Sequence, residues 1–197
     1  MDAYTFLAAD DRLGQVVRAI GPLELTINRE PWLYLTYSIM SQQLSTAVAR
    51  TLRQRLDAML GAHPTPAAIA AIPFDTLKSI GLSHAKTTYI KSVADFAMQQ
   101  DMRFTTLQQM DDEGVIRYLI QINGVGRWTA EMLLMFSLGR PDVFASDDLG
   151  IRLAMQDLFS FRKASPADMR RKMTEKARHW SPYRTYACMY LWRWRDA

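Results

Sequence analysis

The chain has 197 residues, of which 49% are hydrophobic and 22% charged, so it can bury a sizeable core as one domain or as two small lobes. Its single cysteine, Cys188, excludes an intramolecular disulfide and a thiolate-rich metal or iron–sulfur site. The 24 Lys and Arg against 20 Asp and Glu give a net charge of +4, an excess too modest to identify a polyanionic partner.

The N-terminal stretch MDAYTFLAADDRLG is acidic and lacks the basic and apolar regions of a secretory signal. No apolar run reaches the length that spans a membrane. We therefore expect a soluble intracellular protein with no membrane partner.

Helical spacing dominates the first two-thirds of the chain. At most, TFLA and PLELTI near the N-terminus are expected to be extended. The segment 31–60 carries apolar residues three and four apart and predicts two helices that meet near Ser41 and stop at Gly61. Further helices are predicted after Thr65 and after Pro73.

The helical pattern continues into the middle of the sequence. Gly81 predicts a break before a longer helix that runs to Gln99. Asp111 or Asp112 is expected to cap a helix that ends near Ile122. The fold class that these elements predict is all-α.

The stretch INGVGRWTAEMLL places a two-glycine turn between two helices, the second beginning around Arg127. Gly124 and Gly126 permit positive φ and a close approach of backbone to a ligand, and the amides of a helix N-terminus attract anions. A P-loop or a dinucleotide fingerprint would follow a strand, so a sugar–phosphate backbone is the better candidate. An ordinary tight turn between helices is the alternative.

Two polar stretches lie where predicted helices begin or end. Asp147 and Asp148 follow Ser146 at a predicted helix start, where one of the two carboxylates is expected to cap the helix. The SQQLS stretch between two apolar helices is typical of a capped helix junction, in which Ser41 or Ser45 helps to end or start a helix.

The last part of the chain interleaves basic and aromatic residues. A phosphate-facing surface and a solvated helix face both fit this pattern. The ten basic residues are Arg162, Lys163, Arg170, Arg171, Lys172, Lys176, Arg178, Arg184, Arg193 and Arg195.

Three blocks of the sequence together resemble the HhH-GPD superfamily of base-excision DNA glycosylases, in particular the DNA-3-methyladenine glycosylase II branch. They are GPLELTINREPWLYLTYSIMSQQLSTAVARTLRQRL, the pair INGVGRWTAEMLL and DVFASDDLGIRLAM, and SPYRTYACMYLWRW. The resemblance implies an all-α, two-lobed helical bundle with a helix-hairpin-helix motif. It implies one glycosylase unit over 1–197, with an inner lobe at about 37–133 that includes the hairpin 120–128, and a second lobe formed by 1–36 and 134–197.

The resemblance also implies how the hairpin binds DNA. Residues implied to contact DNA phosphates are Gly124, Gly126, Arg127, Thr129 and Lys86. The backbone carbonyls of Ile120, Ile122 and Val125 are implied to hold a structural Na⁺ or K⁺. No organic cofactor is implied.

The same resemblance assigns the reaction. Asp148 matches the catalytic aspartate, which stabilises positive charge on the sugar and orients or deprotonates water. Members that also cut the strand carry a lysine where this chain has Trp128, so water is the expected nucleophile. The implied wedge into the duplex is Gln43, with Leu44 as the neighbouring alternative. The base pocket is implied to contain Trp128, Trp192, Met132, Tyr37 and Gln42.

We therefore expect a monomeric, monofunctional enzyme that flips alkylated purines such as 3-methyladenine and 7-methylguanine out of double-stranded DNA and excises them. Its expected location is the nucleoid-containing cytoplasm of a prokaryote or the nucleus of a eukaryote. Two alternatives stay open at this point: a glycosylase for oxidised or mismatched bases, and a helix-hairpin-helix module that binds DNA without catalysis.

Overall fold

The computed structural model describes residues 1–161 and 165–196. Within these ranges the backbone forms α-helices and one short 3-10 turn, and no strand is present. None of the helices described is both long and apolar enough to span a membrane. The prediction of an all-α fold is confirmed. Arg162 and Lys163 of the predicted basic surface lie outside the described residues.

The chain divides into two units, one formed by Met1–Ile27 with Leu134–Ala197 and the other by Asn28–Leu133. The inner lobe at about 37–133 that the resemblance implies stays a prediction. The helix that begins at Pro31 lies wholly within the unit at 28–133.

The unit at 28–133 contains α3 to α9 and the start of α10. The bounds are α3 (Pro31–Ser41), α4 (Thr46–Leu60), α5 (Pro66–Ala71), α6 (Phe74–Ser79), α7 (His84–Gln99), α8 (Phe104–Gln108), α9 (Asp112–Leu119) and α10 (Arg127–Phe136). Helix α7 packs against α3, α5 and α6, and α3 also packs against α4. Leu35, Ile39, Leu56 and Ile90 are completely buried in this core.

The capping residues explain where these helices begin. The Thr65 hydroxyl accepts from the Ala68 amide at 3.1 Å, and the Asp111 carboxylate accepts from the Gly114 amide at 2.6 Å, so each satisfies an amide in the first helical turn. Gly61 follows α4 with a positive φ of 72°. These starts and stops are the predicted ones. Helix α9 instead ends at Leu119, before the predicted Ile122, because the chain turns there and the Ile122 amide donates to the Leu119 carbonyl at 3.0 Å.

The other unit contains the two ends of the chain. Its helices are α1 (Ala3–Ala8), α2 (Leu13–Ile20), α11 (Leu149–Leu158), α12 (Pro166–Ala177) and α13 (Arg184–Asp196), with the 3-10 turn at Arg178–Trp180. Helix α13 packs against α2 and α11. The expectation that TFLA is extended was wrong: these residues are helical, and Asp2 caps them by accepting from the Thr5 amide at 2.8 Å. PLELTI forms no strand either.

Asp10 joins the two ends of this unit. Its carboxylate accepts from Lys176 Nζ at 2.8 Å, from Trp180 Nε1 at 3.0 Å, and from the backbone amides of Arg12 and Leu13. Burial alone would raise the pKa of Asp10, but the donors around it lower that pKa below the ordinary value. The ionised carboxylate therefore contributes to the stability of the fold.

We expect Asp10→Asn to lower the free energy of unfolding at neutral pH by about 1–3 kcal/mol, since charge-assisted bonds of this kind are worth about that much. Because the folded-state pKa of Asp10 is depressed, its contribution is complete above the unfolded pKa of about 3.9 and is lost as the pH falls through the folded-state value. Urea unfolding of the wild type and of Asp10→Asn at pH 7 and near pH 3 measures the difference in their free energies of unfolding. If this difference is equal at the two pH values, the ionised carboxylate of Asp10 does not provide the stability.

Candidate functional site

Asp148 caps the N-terminus of α11. Its Oδ1 accepts from the Ile151 amide at 2.8 Å, which confirms that one of the two adjacent carboxylates caps this helix. The same oxygen accepts from the indole Nε1 of Trp192 at 2.9 Å. Because the half-buried carboxylate has a donor from its own helix and another from α13, its position is fixed by two elements.

Gly150 leaves the space in which Asp148 and Trp192 meet. A Cβ at this position would lie 3.1 Å from both Asp148 Oδ1 and Trp192 Cδ1, which is tighter than ordinary contact. Asp147 is directed elsewhere: it is exposed and forms an ion pair with Arg170 of α12. Of the two neighbouring carboxylates, only Asp148 is therefore held by an indole.

Trp192 was predicted to line a base pocket. In the structure its indole also packs against Phe136, with ring centroids 6.0 Å apart, while its N–H donates to Asp148. Its role as a wall for a base stays a prediction. What the geometry establishes is that this indole orients the Asp148 carboxylate.

A cavity of about 390 Å³ opens in the unit at 28–133. This one cavity is lined by four of the five residues that were predicted to contact a flipped base. They come from α3, from the turn after it and from α10. Its walls include Tyr34, Tyr37, Gln42, Arg53, Trp128 and Met132. Aromatic faces with a few polar groups are typical of sites that hold a planar ligand.

Two tyrosines on the cavity wall are kept neutral. Burial, followed by a hydrogen bond to Asp57, raises the pKa of Tyr37 to about 12. Burial also raises the pKa of Tyr34 well above its usual range. At neutral pH these phenols can bind a ligand through their rings and hydroxyls, but they do not serve as bases.

Arg53 is a cavity residue that the sequence analysis missed. Its guanidinium lies over the Tyr37 ring, with Cζ 4.1 Å from the centroid. Arg53 is one of three arginines on the amphipathic helix α4, and nothing in the spacing separates it from Arg50 or Arg55. The contact brings a positive charge to a wall that otherwise consists of neutral groups.

The turn between α3 and α4 presents the residues of the predicted wedge. Gln43 has a positive φ of 59°, and its side chain is exposed. Leu44 is 38% exposed. Gln42 lies behind them, with its Nε2 3.4 Å from the Thr129 hydroxyl. The turn therefore directs one side chain into the unit and two outward.

The glycine turn joins α9 to α10. Gly124 has a φ of 87°, and a Cβ there would overlap the ring of Tyr89, so both the backbone and the packing require glycine. A Cβ at Gly126 would meet open space. Within the described residues, neither amide donates to another protein group, so both are available to a ligand at the start of α10.

Three other side chains predicted to contact phosphate have partners inside the protein. Arg127 pairs with Glu113 and, at 3.1 Å, with Glu131. Thr129 is only 3% exposed. Lys86 Nζ donates to backbone carbonyls, and burial lowers the pKa of this ammonium group. The contacts of these side chains with phosphate stay predictions, whereas the two glycine amides have no protein partner among the described residues.

The comparisons with known proteins agree with this geometry. Residues 36–179 match the family model described as the HhH-GPD superfamily base excision DNA repair protein. DNA-3-methyladenine glycosylase 1 of Schizosaccharomyces pombe is 32% identical over 190 residues, which cover 93% of this chain and 82% of that protein. The Bacillus subtilis protein YfjP is 32% identical over 162 residues, and there the chain spans only 55% of its relative's length.

Solved structures give the same result. The 3-methyladenine DNA glycosylase of S. pombe in complex with abasic DNA superposes with a TM-score of 0.88 at 29% identity, covering 100% of this chain and 98% of the other. The DNA-3-methyladenine glycosidase of Bacillus halodurans gives 0.82 at 32% identity, covering 98% and 88%. The chain belongs to the HhH-GPD superfamily of base excision DNA repair proteins.

Proposed function

We propose that this protein is a monofunctional DNA glycosylase that removes alkylated purines, such as 3-methyladenine and 7-methylguanine, from double-stranded DNA in base excision repair. The observation that carries the proposal is the Asp148 carboxylate, held by the Trp192 indole at the start of α11. The relatives named as 3-methyladenine glycosylases support the choice of substrate.

The chemistry of the leaving group explains why one carboxylate is sufficient. As the base departs, positive charge develops on the sugar, and the ionised Asp148 stabilises this charge electrostatically and orients or deprotonates the attacking water. An alkylated purine already carries positive charge and leaves readily. A strong general acid is therefore not required.

The cavity lined by Tyr37 and Trp128 is the proposed site for the flipped base. A purine that has left the stack can be held between aromatic faces, and a cationic purine is attracted to them. The volume of about 390 Å³ accommodates a single base. This cavity contains Trp128 where strand-cutting members carry a lysine, and none of the described residues that line it is a lysine able to form a Schiff base.

The glycine turn is the proposed phosphate site. The amides of Gly124 and Gly126 donate to the DNA backbone, and the positive end of α10 adds to the attraction.

The carbonyls of Ile120, Ile122 and Val125 fit a monovalent cation, because they are neutral oxygen donors in one turn. Among the described residues, only the carbonyl of Ile122 accepts a backbone hydrogen bond. Bound there, Na⁺ or K⁺ would supply positive charge near the phosphate. No cluster of three or more His, Cys, Asp or Glu suited to a metal occurs in the described part of the chain.

The two alternatives are distinguished from the proposal by different observations. A module that only binds DNA has no use for a carboxylate oriented by an indole, so Asp148 and Trp192 favour an enzyme. A glycosylase for oxidised or mismatched bases differs in the bases it releases, which the experiment below measures. As a monomer acting on DNA, the protein is expected to work wherever the chromosome resides.

The test is a glycosylase assay on duplex DNA treated with dimethyl sulfate. We expect release of 3-methyladenine and 7-methylguanine, identified by chromatography, and strand breaks only after hot alkali opens the abasic sites. Borohydride should trap no covalent complex, because Trp128 has no amine. Uracil-containing and 8-oxoguanine-containing duplexes serve as controls. A protein that releases no methylated base, or that releases 8-oxoguanine instead, would refute the proposal.

A further inference from the structure

The turn between α3 and α4 contains a backbone conformation that ordinary residues avoid. Gln43 lies in the left-handed region, with φ of 59°. For a residue with a side chain this costs on the order of 1 kcal/mol, so neighbouring groups must hold it. Gln43 is also the residue proposed to enter the duplex, and it borders the cavity that contains Trp128.

Lys86 supplies the restraint from a different helix. It lies in the first turn of α7, and its Nζ donates to the Met40 carbonyl at 2.9 Å and to the Gln42 carbonyl at 2.6 Å. The Gln42 carbonyl belongs to the peptide plane that immediately precedes Gln43. Fixing this plane fixes the direction from which the Gln43 side chain leaves the backbone.

We propose that Lys86 is a positioning residue for the DNA wedge: its ammonium group holds the end of α3 so that Gln43 points outward in the conformation that fills the gap left by a flipped nucleotide. This inference rests on the proposed function and on Gln43 as the wedge. It differs from the expectation that Lys86 contacts a phosphate, because it assigns the ammonium group to the two carbonyls, which accept from two of its three N–H donors.

The same helix provides an internal control. Lys91 Nζ donates to the carbonyls of Ile69 at 2.9 Å, Ala70 at 2.8 Å and Ile72, and so caps the end of α5 in the same way. Burial lowers the pKa of both lysines. The difference between them is that the carbonyls bound by Lys91 are remote in sequence from the wedge. Lys86→Met and Lys91→Met thus remove the same kind of contact, two carbonyls for Lys86 and three for Lys91, with different predicted consequences.

The experiment measures binding to two duplexes, one undamaged and one carrying a single tetrahydrofuran abasic analogue. We expect Gln43→Ala and Lys86→Met each to reduce the preference for the abasic duplex about tenfold, with little change on undamaged DNA. The double variant should lose no more than either single variant, because both act through one side chain. Lys86→Arg, which keeps a cationic donor, should restore part of the preference. Lys91→Met should retain it.

Other outcomes would overturn the inference in distinguishable ways. If Lys86→Met weakens binding to both duplexes equally and lowers the salt dependence by about one charge, Lys86 is a phosphate contact. If Lys86→Met and Lys91→Met lower the melting temperature alike and leave the preference intact, Lys86 is only a helix cap. If Gln43→Ala binds both duplexes as the wild type does, Gln43 is not the wedge, and this inference fails with that assignment. Release of methylated bases by the wild type still decides the proposed function separately.

Discussion

Asp148→Asn is expected to reduce the rate of base excision by roughly 100- to 1000-fold while leaving the protein folded. The loss follows from removing a negative charge opposite a developing positive one, which is worth about this much in preorganised sites. The fold should survive because asparagine caps helices about as well as aspartate, and its side-chain oxygen can still accept from Ile151 and Trp192. Single-turnover release of methylated purines measures the rate, and urea unfolding measures the stability.

Asp147→Asn is the matched control. It removes the same charge one residue earlier, where the carboxylate is exposed and pairs with Arg170. Exposed ion pairs contribute about 0–1 kcal/mol, so we expect a small change in stability and an excision rate within about twofold of the wild type. Equal activity of Asp148→Asn and the wild type, or equal losses in the two variants, would remove Asp148 from the catalytic role.

Most helices could be predicted because their signals are local. The apolar spacing of α3 and α4, the caps at Thr65 and Asp111, and the stop at Gly61 each lie within a few residues of the element that they define. TFLA was misassigned for a related reason. Its Thr and Phe favour an extended chain in isolation, but the cap by Asp2 and the burial of Leu7 outweigh that preference.

Candidate site residues could be proposed from the sequence, but the contacts between their side chains could not be predicted. Asp148 and Trp192 are 44 positions apart, and Lys86 and Met40 are 46 apart, so no spacing rule connects them. The resemblance singled out these side chains without showing that the indole donates to the carboxylate or that the ammonium donates to carbonyls. Arg53 was missed because its contact with Tyr37 depends on how α4 packs on α3.

The two glycines of the hairpin show how packing and binding requirements can be separated. Both were predicted from one motif, and the motif alone does not distinguish their roles. In the structure, Gly124 faces the ring of Tyr89 with a left-handed backbone, whereas the place of a side chain at Gly126 is open. The fold therefore requires a glycine at position 124, whereas at position 126 only the proposed contact with the DNA backbone favours one.

We expect Gly124→Ala to lower the free energy of unfolding by about 2–4 kcal/mol, because alanine is strained in the left-handed backbone conformation and its methyl group overlaps the Tyr89 ring. Gly126→Ala should change stability by no more than about 0.5 kcal/mol, since its methyl group meets nothing in the protein. It should still weaken binding to an abasic duplex by about 10- to 100-fold, because a phosphate can no longer approach the amides closely. Urea unfolding and fluorescence anisotropy measure the two effects. If Gly126→Ala binds DNA as the wild type does, the hairpin is only a tight turn, and the phosphate must be held elsewhere.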